Sequence, residues 1–350
     1  MNTINNKLWQ ILAIVVFIAM ISFIPIRTLT LNCDGFFSAL RSEIRAKPPK
    51  TNNTFIRLVY SARCIEPVLL AHMADKNRYT SAASRFEYTF TRRVRGANKA
   101  NVWGKDDWLF YMADDAPSIF KGVNRFSEKE LKSYLNNLTA EKEHLASYGM
   151  KLVLLIVPNK ETIYGEFMAP TIKRENTYSK IDQLVDYLRS NGFEDVVYPK
   201  AEMIAEHEKH HLYFKDDTHW TPLGAFIASQ QLNAHLGYER QYLNEVSISN
   251  LQQEKIGDIS RLLATQWRVQ ESEIPSIDPK RNGTITDKKV FIAGDSFRHL
   301  ISPEFAHIRR EHSVDTYEPS QLMSGDYDIV VLEAVERYHM GLRGFTFRLP

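Results

Sequence analysis

The sequence predicts an α/β fold with a mostly parallel sheet, preceded by one N-terminal transmembrane helix. Beyond Trp103, short apolar runs alternate with amphipathic segments, and strands that alternate with helices form parallel sheets covered on both faces. Ahead of this body, Leu8–Ile26 is almost wholly apolar and long enough for one membrane crossing. It has no polar face and no small-residue cleavage site follows it, so we interpret it as an uncleaved anchor.

The individual elements of the body follow from local patterns. Apolar runs bounded by turn residues predict buried strands at Trp108–Met112, Leu152–Val157, Val196–Tyr198 and Val290–Ala293. Amphipathic segments predict helices at Ser127–Tyr148, Ser179–Asn191, Leu223–Leu236 and Phe297–Arg310. Ser127 and Glu130 form a capping-box pattern at the start of the first helix, and Gly192 is the expected C-terminal cap of the second.

The strand Val290–Ala293 runs into Gly294-Asp295-Ser296 before the next predicted helix. A serine at a strand-to-helix turn has its hydroxyl above the sheet edge and its N–H at a helix N-terminus, where developing negative charge is stabilised. Ser296 is therefore a candidate nucleophile. The tripeptide alone is common, and a serine that only caps the helix fits equally well.

A second candidate site is the segment that contains Asp216, Asp217 and His219. A histidine that acts as general base needs a carboxylate on its other nitrogen to fix its orientation and to stabilise the imidazolium. Asp217 and His219 are two positions apart, and in an extended segment both would point to the same side. Asp217 can therefore orient His219, although the neighbouring Asp216 leaves the choice of the orienting acid open.

These two motifs resemble those of a known family. Asp217-Thr218-His219-Trp220 followed later by Gly294-Asp295-Ser296-Phe297 is similar to the SGNH-hydrolase-like polysaccharide O-acetyltransferases of the alginate type (AlgJ/AlgX-like), in which the serine motif follows the Asp-His motif. Trp103–Tyr111 resembles the opening segment of that family, and Asp328–Tyr338 resembles its last strand with a Glu-Arg ending.

The resemblance implies a three-layer α/β/α domain and a Ser-His-Asp triad of Ser296, His219 and Asp217. The spacing in the family pattern selects Asp217 as the orienting acid, and Asp216 is then expected to be a solvated loop residue. It implies O-acetylation of an exported bacterial exopolysaccharide through an acetyl-serine intermediate, with no metal and no cofactor. The acetyl donor would be a separate membrane-bound acyltransferase, and other exopolysaccharide export components would be partners.

The resemblance also implies an orientation, which charge bias around the anchor does not decide. The body would lie on the periplasmic side of the inner membrane. The expected organisation is then a cytoplasmic N-terminus (1–7), a single-pass anchor (8–26), a membrane-proximal lead-in (27–99) and the acetyltransferase domain (100–350). The formal net charge of +2, without basic runs interleaved with aromatics, argues against nucleic acid as a partner.

Two other functions fit the same residues. A carbohydrate esterase would use the same triad with water in place of the sugar hydroxyl, and the membrane anchor favours the transferase because it keeps the enzyme beside a membrane-embedded donor. A non-catalytic polysaccharide-binding scaffold is the third possibility, and the intact Asp217, His219 and Ser296 argue against it.

Four further residues are candidates for substrate contact: Arg298, Asn159, Trp220 and Arg337. Arg298 could meet an acidic sugar. Asn159 could donate to an oxyanion, although a turn-forming asparagine is the simpler interpretation. Core packing is likewise the favoured interpretation of Trp220.

A zinc-protease pattern and a cysteine pair complete the set of chemical motifs. His207–His211 matches His-Glu-x-x-His, but Lys209 lies between the would-be ligands and no third ligand stands out, so we interpret it as a polar helix end. Cys33 and Cys64 could form one disulfide in an oxidising compartment, and two unpaired thiols fit the sequence as well.

Overall fold

The computed structural model describes residues 34–46, isolated positions between 54 and 68, 76–91, 100–251, 257–265, 274–278, 286–301, 306 and 308–350. The chain divides into two compact units, Met1–Ala83 and Ser84–Pro350. In the first unit residues 34–46 form helix α1, and Cys64 is buried. Cys33 lies outside the described residues, so the disulfide stays a prediction, as do the domain boundaries.

The second unit contains most of the described elements. The strands are β1 (Asn101–Trp103), β2 (Leu109–Tyr111), β3 (Lys151–Val157), β4 (Val196–Val197), β5 (Ser247–Leu251), β6 (Ile274–Asp278), β7 (Lys289–Gly294), β8 (Ile308–Ser313) and β9 (Ile329–Val335). The α-helices after α1 are α2 (Lys76–Thr91), α3 (Ala116–Lys121), α4 (Glu128–Ser147), α5 (Lys160–Ile163), α6 (Lys180–Ser190), α7 (Lys200–Glu206), α8 (Pro222–His235), α9 (Asp258–Leu262) and α10 (Pro319–Met323). The 3₁₀ helices are Gly165–Phe167, Leu243–Glu245, Ser296–Leu300 and Glu336–Arg343.

The central sheet has the strand order β4-β3-β9-β7-β8, and every pairing in it is parallel. Two antiparallel pairs, β1 with β2 and β5 with β6, lie outside it. Because β3, β9 and β7 are neighbours and parallel, their carboxyl ends meet at one edge of the sheet. Ligands of such sheets bind beyond that edge.

Both faces of the sheet are buried. Along β7, Val290 and Ile292 belong to one apolar core, whereas Phe291 and Ala293 belong to the other. Residues of α8 pack in the first core and residues of α4 and α6 in the second. This is the three-layer, mostly parallel arrangement that the alternating pattern predicts.

Most local predictions are confirmed to within a residue or two. Helix α4 begins after Ser127, whose side chain and that of Glu130 form both hydrogen bonds of a capping box. Helix α6 is followed by Gly192 in the left-handed region (φ +87°), as expected for a residue just past a helix end. The predicted strands Leu152–Val157 and Val290–Ala293 are both present, as β3 and β7.

The predicted helix Phe297–Arg310 is wrong. In the described part of this range, the structure has the short 3₁₀ helix Ser296–Leu300 and the start of the parallel strand β8 at Ile308. The sequence itself argues against one continuous helix, because Pro303 lies inside the predicted range and proline is disfavoured in a helix interior. Strand β8 lies at the end of the sheet order.

Among the residues that the structure describes, no helix is both long and apolar enough to cross a membrane. The predicted anchor Leu8–Ile26 lies outside those residues. The three-layer fold therefore rests on the described body, and the anchor stays a prediction.

Candidate active site

Ser296 is the first residue after the turn that ends β7, as the sequence predicts. Asp295 shapes this turn: its Oδ1 accepts the N–H of Phe297 (2.9 Å) and its Oδ2 accepts the N–H of Val335 at the end of β9 (2.8 Å). The turn is thereby tied to the neighbouring strand. Ser296 itself is exposed at the edge of the sheet.

Gly294 is required by the close approach of β9. A Cβ atom at this position would lie 2.2 Å from Oε2 of Glu333, which is buried. Burial raises the pKa of the Glu333 carboxyl well above its ordinary value. A buried carboxyl therefore packs directly against the turn that carries Ser296.

Asp217, His219 and Ser296 form a chain of hydrogen bonds. Nδ1 of His219 is 2.6 Å from Oδ1 of Asp217, and Nε2 of His219 is 2.7 Å from Oγ of Ser296. The N–H of His219 also donates to Oδ1 of Asp217 (3.0 Å). The segment is bent rather than extended, yet the two side chains meet as expected. In this geometry His219 can take a proton from the Ser296 hydroxyl.

The loop that carries Asp217 is held by a buried lysine from the next layer. Nζ of Lys160, at the start of α5, donates to the carbonyl oxygens of Phe214 (3.1 Å), Lys215 (3.1 Å) and Asp217 (2.6 Å). Lys160 is 1% exposed. Since charge-assisted hydrogen bonds are about twice as strong as neutral ones, this ammonium fixes the backbone that positions Asp217.

The sequence suggested that Asp216 is a solvated loop residue, but the structure shows that it is buried. It is 2% exposed, and its Oδ2 accepts the N–H of Gly257 (2.8 Å) just before α9. Burial raises the pKa of its carboxyl. Asp216 therefore holds the start of α9 against the loop, and Asp217 faces His219.

The start of α9 supplies a residue that the sequence analysis missed. Asp258 accepts the N–H (2.7 Å) and the hydroxyl (2.5 Å) of Thr218, and its own N–H donates to Oδ2 of Asp217 (3.1 Å). Its Oδ2 lies 3.6 Å from Nδ1 of His219. Nothing in the sequence pattern links Asp258 to His219, because only the folded chain brings α9 to this loop.

Asp217, His219 and Asp258 also form the group of side chains, within the described ranges, that could in principle hold a metal ion. Their candidate ligand atoms lie within 4.8 Å of one another. Those atoms already hydrogen-bond to each other or to Thr218. The arrangement is therefore complete as a hydrogen-bond network.

A buried glutamate joins the ends of β3 and β9 beside the site. Glu336 accepts the N–H of Asn159 (2.8 Å), the hydroxyl of Thr162 (2.5 Å) and the hydroxyl of Tyr198. Burial raises the pKa of its carboxyl. This network fixes the loop after β3, which carries both Asn159 and Lys160.

Of the four predicted substrate contacts, Arg337 and Arg298 line a cleft together with Ser296. Arg337 donates from Nη1 to Oδ1 of Asn159 (3.3 Å), and Asn159 is fully buried. Arg298 donates from Nη1 to the carbonyl oxygens of Gly294 (3.3 Å) and Asp295 (2.5 Å).

Trp220 does not contact the cleft. It is 1% exposed and packs against Phe297, with ring centroids 5.4 Å apart. Its prediction as a substrate contact therefore gives way to the core-packing interpretation.

The cleft beside Ser296 has a volume of about 1140 Å³. Besides the two arginines, its walls include Tyr134, Lys180 and Tyr338. It is large enough for several sugar units, since sites for drug-sized ligands measure about 300–1,000 Å³.

The segment His207–His211 is a polar helix end, as interpreted from the sequence. Helix α7 ends at Glu206, and His207 binds Glu166 (3.2 Å) and the carbonyl oxygen of Ile204 (2.6 Å). The two outer histidines therefore do not share one helical face.

The three-layer fold, with its parallel sheet and a serine at the carboxyl edge of that sheet, is that of an SGNH-hydrolase-like α/β protein. Residues 102–297 match the family described as "ALGX: SGNH hydrolase-like domain, acetyltransferase AlgX", and the chain belongs to this family. The match contains both motifs, in the order Asp-His and then serine, from which the resemblance was inferred.

Curated relatives match part of the chain. A probable alginate O-acetylase AlgJ from Pseudomonas putida is 28% identical over 134 residues, which are 37% of this chain and 32% of the relative. The alginate biosynthesis protein AlgX from Pseudomonas aeruginosa is 25% identical over 186 residues, 51% of this chain and 36% of the relative. The chain thus spans about a third of the length of the curated relatives it matches.

Solved structures with a similar fold include Bacillus cereus PatB1 with a sulfonyl adduct (TM-score 0.50, 13% identity, 71% of this chain and 99% of that one). The O-acetyltransferase domain of Pseudomonas putida AlgJ is also similar (TM-score 0.48, 19% identity, 71% of this chain and 93% of that one). The match to PatB1 supports the fold.

Proposed function

We propose that this protein is an O-acetyltransferase that acts on an exported bacterial exopolysaccharide through an acetyl-serine intermediate. The observation that carries the proposal is the hydrogen-bonded chain from Asp217 through His219 to Ser296 at the carboxyl edge of the sheet. The family's description as an acetyltransferase supports it, and so do the names of the AlgJ relatives.

The reaction has two half-reactions. In the first, Nε2 of His219 takes the hydroxyl proton of Ser296 while Oγ attacks the acetyl carbonyl carbon of the donor. The tetrahedral intermediate collapses, the proton passes to the leaving group, and acetyl-serine remains. In the second, His219 takes the proton of a sugar hydroxyl, whose oxygen attacks acetyl-serine. Ser296 leaves, recovers its proton from His219, and the sugar carries the acetyl ester.

Asp217 stabilises the imidazolium that forms in both half-reactions. Its carboxylate is 4% exposed and 2.6 Å from Nδ1 of His219, so the charge interaction is little screened by water. The same contact selects the tautomer in which Nδ1 carries the proton and Nε2 can accept one.

Three donors can stabilise the oxyanion of the tetrahedral intermediate. The N–H of Ser296 lies at the start of its 3₁₀ helix. Nδ2 of Asn159 and Nε of Arg337 are both buried and have no hydrogen-bond partner among the described residues. Arg337 lines the cleft, and Asn159 is hydrogen-bonded to it. Because an unpaired buried donor costs stability, donors in such a position are expected to serve a ligand.

The membrane arrangement belongs to the same proposal. Leu8–Ile26 would anchor the chain in the inner membrane with the catalytic domain on the periplasmic side. A membrane-bound acyltransferase would supply the acetyl group, and other exopolysaccharide export components would present the polymer. An anchored enzyme remains close to both.

The test uses the full-length protein in detergent, an activated acetyl ester and a panel of oligosaccharides. Mass spectrometry follows free acetate and acetylated sugar together. Ser296→Ala, His219→Ala and Asp217→Ala should each reduce acetyl transfer by about 10³-fold or more while the protein stays folded. Ser147→Ala is the matched control, because Ser147 is exposed at the end of α4, does not line the cleft, and donates its hydroxyl to the carbonyl oxygen of His144 (2.6 Å).

The outcomes separate the candidate functions. Acetylated sugar that depends on Ser296 supports the transferase. Acetate alone, at a rate that no sugar changes, would indicate the esterase instead. Full activity of Ser296→Ala would refute the mechanism, and an inert Ser296 in the wild-type protein would favour a scaffold.

A further inference from the structure

The side of His219 that faces away from Ser296 is surrounded by oxygen atoms from two separate segments. Oδ1 of Asp217 is 2.6 Å from Nδ1, Oγ1 of Thr218 is 3.3 Å from it, and Oδ2 of Asp258 is 3.6 Å from it. Two carboxylates and a hydroxyl therefore share one imidazole nitrogen. The proposed mechanism uses only the first.

Several close contacts fix the position of Asp258. A Cβ atom at Gly257 would lie 2.1 Å from the carbonyl oxygen of Asp216, so only glycine permits this approach. The N–H groups of Gly257 and Asp258 donate to the side chains of Asp216 and Asp217, and that of Ser260 donates to the carbonyl oxygen of Asp216 (3.2 Å). The start of α9 is thus fixed against the Asp217 loop.

The side chain of Asp258 acts on His219 along two routes. It lies within ion-pair distance of Nδ1, and it accepts the hydroxyl proton of Thr218 (2.5 Å). Because that proton points to Asp258, the lone pairs of the Thr218 oxygen are free to face Nδ1–H. Both routes stabilise an imidazolium more than a neutral imidazole.

We infer that Asp258 is a positioning residue for His219: with Thr218 it forms a second acidic support that holds the imidazole toward Ser296 and stabilises its protonated form. The inference rests on the proposed function, because it concerns the histidine that activates Ser296. Asp258 does not line the cleft beside Ser296, so its effect should appear in the rate of the serine reaction and not in substrate binding.

The reactivity of Ser296 can be measured without any sugar by using an alkyl sulfonyl fluoride. Ser296 Oγ bonds to sulfur, fluoride leaves, and His219 takes the proton, so the labelling rate reports the activation of the serine directly. Intact-mass spectrometry of the full-length protein gives this rate. Acetyl transfer to oligosaccharide, measured in parallel, gives kcat and KM.

We expect Asp258→Asn to slow labelling and kcat by the same factor, about tenfold to a hundredfold, with KM unchanged. The asparagine keeps the N–H to Asp217 and an oxygen for Thr218, so the melting temperature should change little. Thr218→Val should slow labelling as well, because it keeps the shape and loses the hydroxyl, whereas Thr218→Ser should restore most of the rate.

Asp328→Asn is the matched control. Its carboxylate is similarly exposed (35%, against 37% for Asp258) and accepts a backbone N–H, but it lies at the opposite end of the sheet, before β9. It should leave the labelling rate unchanged. A purely structural role of Asp258 would make the two variants behave alike, with rate losses that follow loss of folded protein.

The possible failures are distinguishable. Wild-type protein that labels at Ser296, together with Asp258→Asn at the wild-type rate, would overturn this inference and leave the proposed function intact. Wild-type protein that does not label at Ser296 would overturn the proposed nucleophile, and the inference would fall with it. A slowed Asp258→Asn beside an unchanged control would support both.

Discussion

Replacing Lys160 by methionine should lower both the stability of the protein and the reactivity of Ser296. Lys160 is buried and does not line the cleft, and its ammonium donates to three carbonyl oxygens of the Asp217 loop. Methionine has nearly the same length and apolar stem, so the change removes the charge and the donors without opening a large cavity. The variant therefore isolates the hydrogen bonds.

Two opposing terms set the magnitude. Each buried carbonyl oxygen that loses its donor costs about 1–3 kcal/mol. Methionine, however, avoids the desolvation of a buried ammonium, which is worth several kcal/mol. We expect a net loss of about 2–4 kcal/mol in the free energy of unfolding, or a fall of about 5–15 °C in Tm for a domain of this size. Because the loop also sets the position of Asp217, we expect Ser296 labelling to slow at least tenfold at temperatures where the protein is fully folded.

Urea unfolding followed by tryptophan fluorescence measures the first effect, and sulfonyl labelling at 15 °C measures the second. Lys105→Met is the matched control, since Lys105 is exposed and donates to one carbonyl oxygen, that of Glu166 (2.8 Å). Lys105→Met should lower the free energy of unfolding by less than about 1 kcal/mol. If Lys160→Met unfolded at the wild-type urea concentration and labelled at the wild-type rate, the claim that this ammonium holds the loop would be refuted.

Two further substitutions test the packing and the ionisation beside the site. Gly294→Ala should lower the free energy of unfolding by about 1–3 kcal/mol, because its Cβ would lie 2.2 Å from Oε2 of buried Glu333. Adding Glu333→Ala should recover part of this loss, as measured by thermal unfolding. A double variant that is no more stable than Gly294→Ala would contradict the predicted clash. Burial raises the pKa of Glu161 to about 7 from 4.5, so its contribution to stability is complete below about pH 4.5 and is lost as the pH rises through 7. The free energy of unfolding should therefore fall between pH 5 and pH 8 by up to about 3 kcal/mol more in wild-type protein than in Glu161→Gln, and equal slopes in urea titrations would refute this assignment.

The parts of the structure that the sequence predicts are those set by local patterns. The strand β7 followed by Ser296, the capping box at Ser127 and the helix after Trp220 each depend on residues within one or two turns of each other. The nonlocal meeting of Ser296 with His219 was predicted only by resemblance to a family. The false helix after Phe297 shows the limit of periodicity, since the mostly polar segment Ile308–Ser313 forms an edge strand that no apolar alternation indicates.

Asp258 and Lys160 could not be found in this way, and the reason is physical. Ser296 lies at the end of a strand, so the sheet itself fixes its position, and a strand pattern predicts it. The Asp217–His219 segment has no strand ladder of its own beyond one isolated bridge between Tyr213 and Trp220. Its backbone groups are satisfied by side chains and N–H groups from α5 and α9, which are distant in sequence. The histidine half of the site should therefore be the more sensitive to substitutions in remote segments, whereas the serine half should respond chiefly to changes in the two strands that flank it.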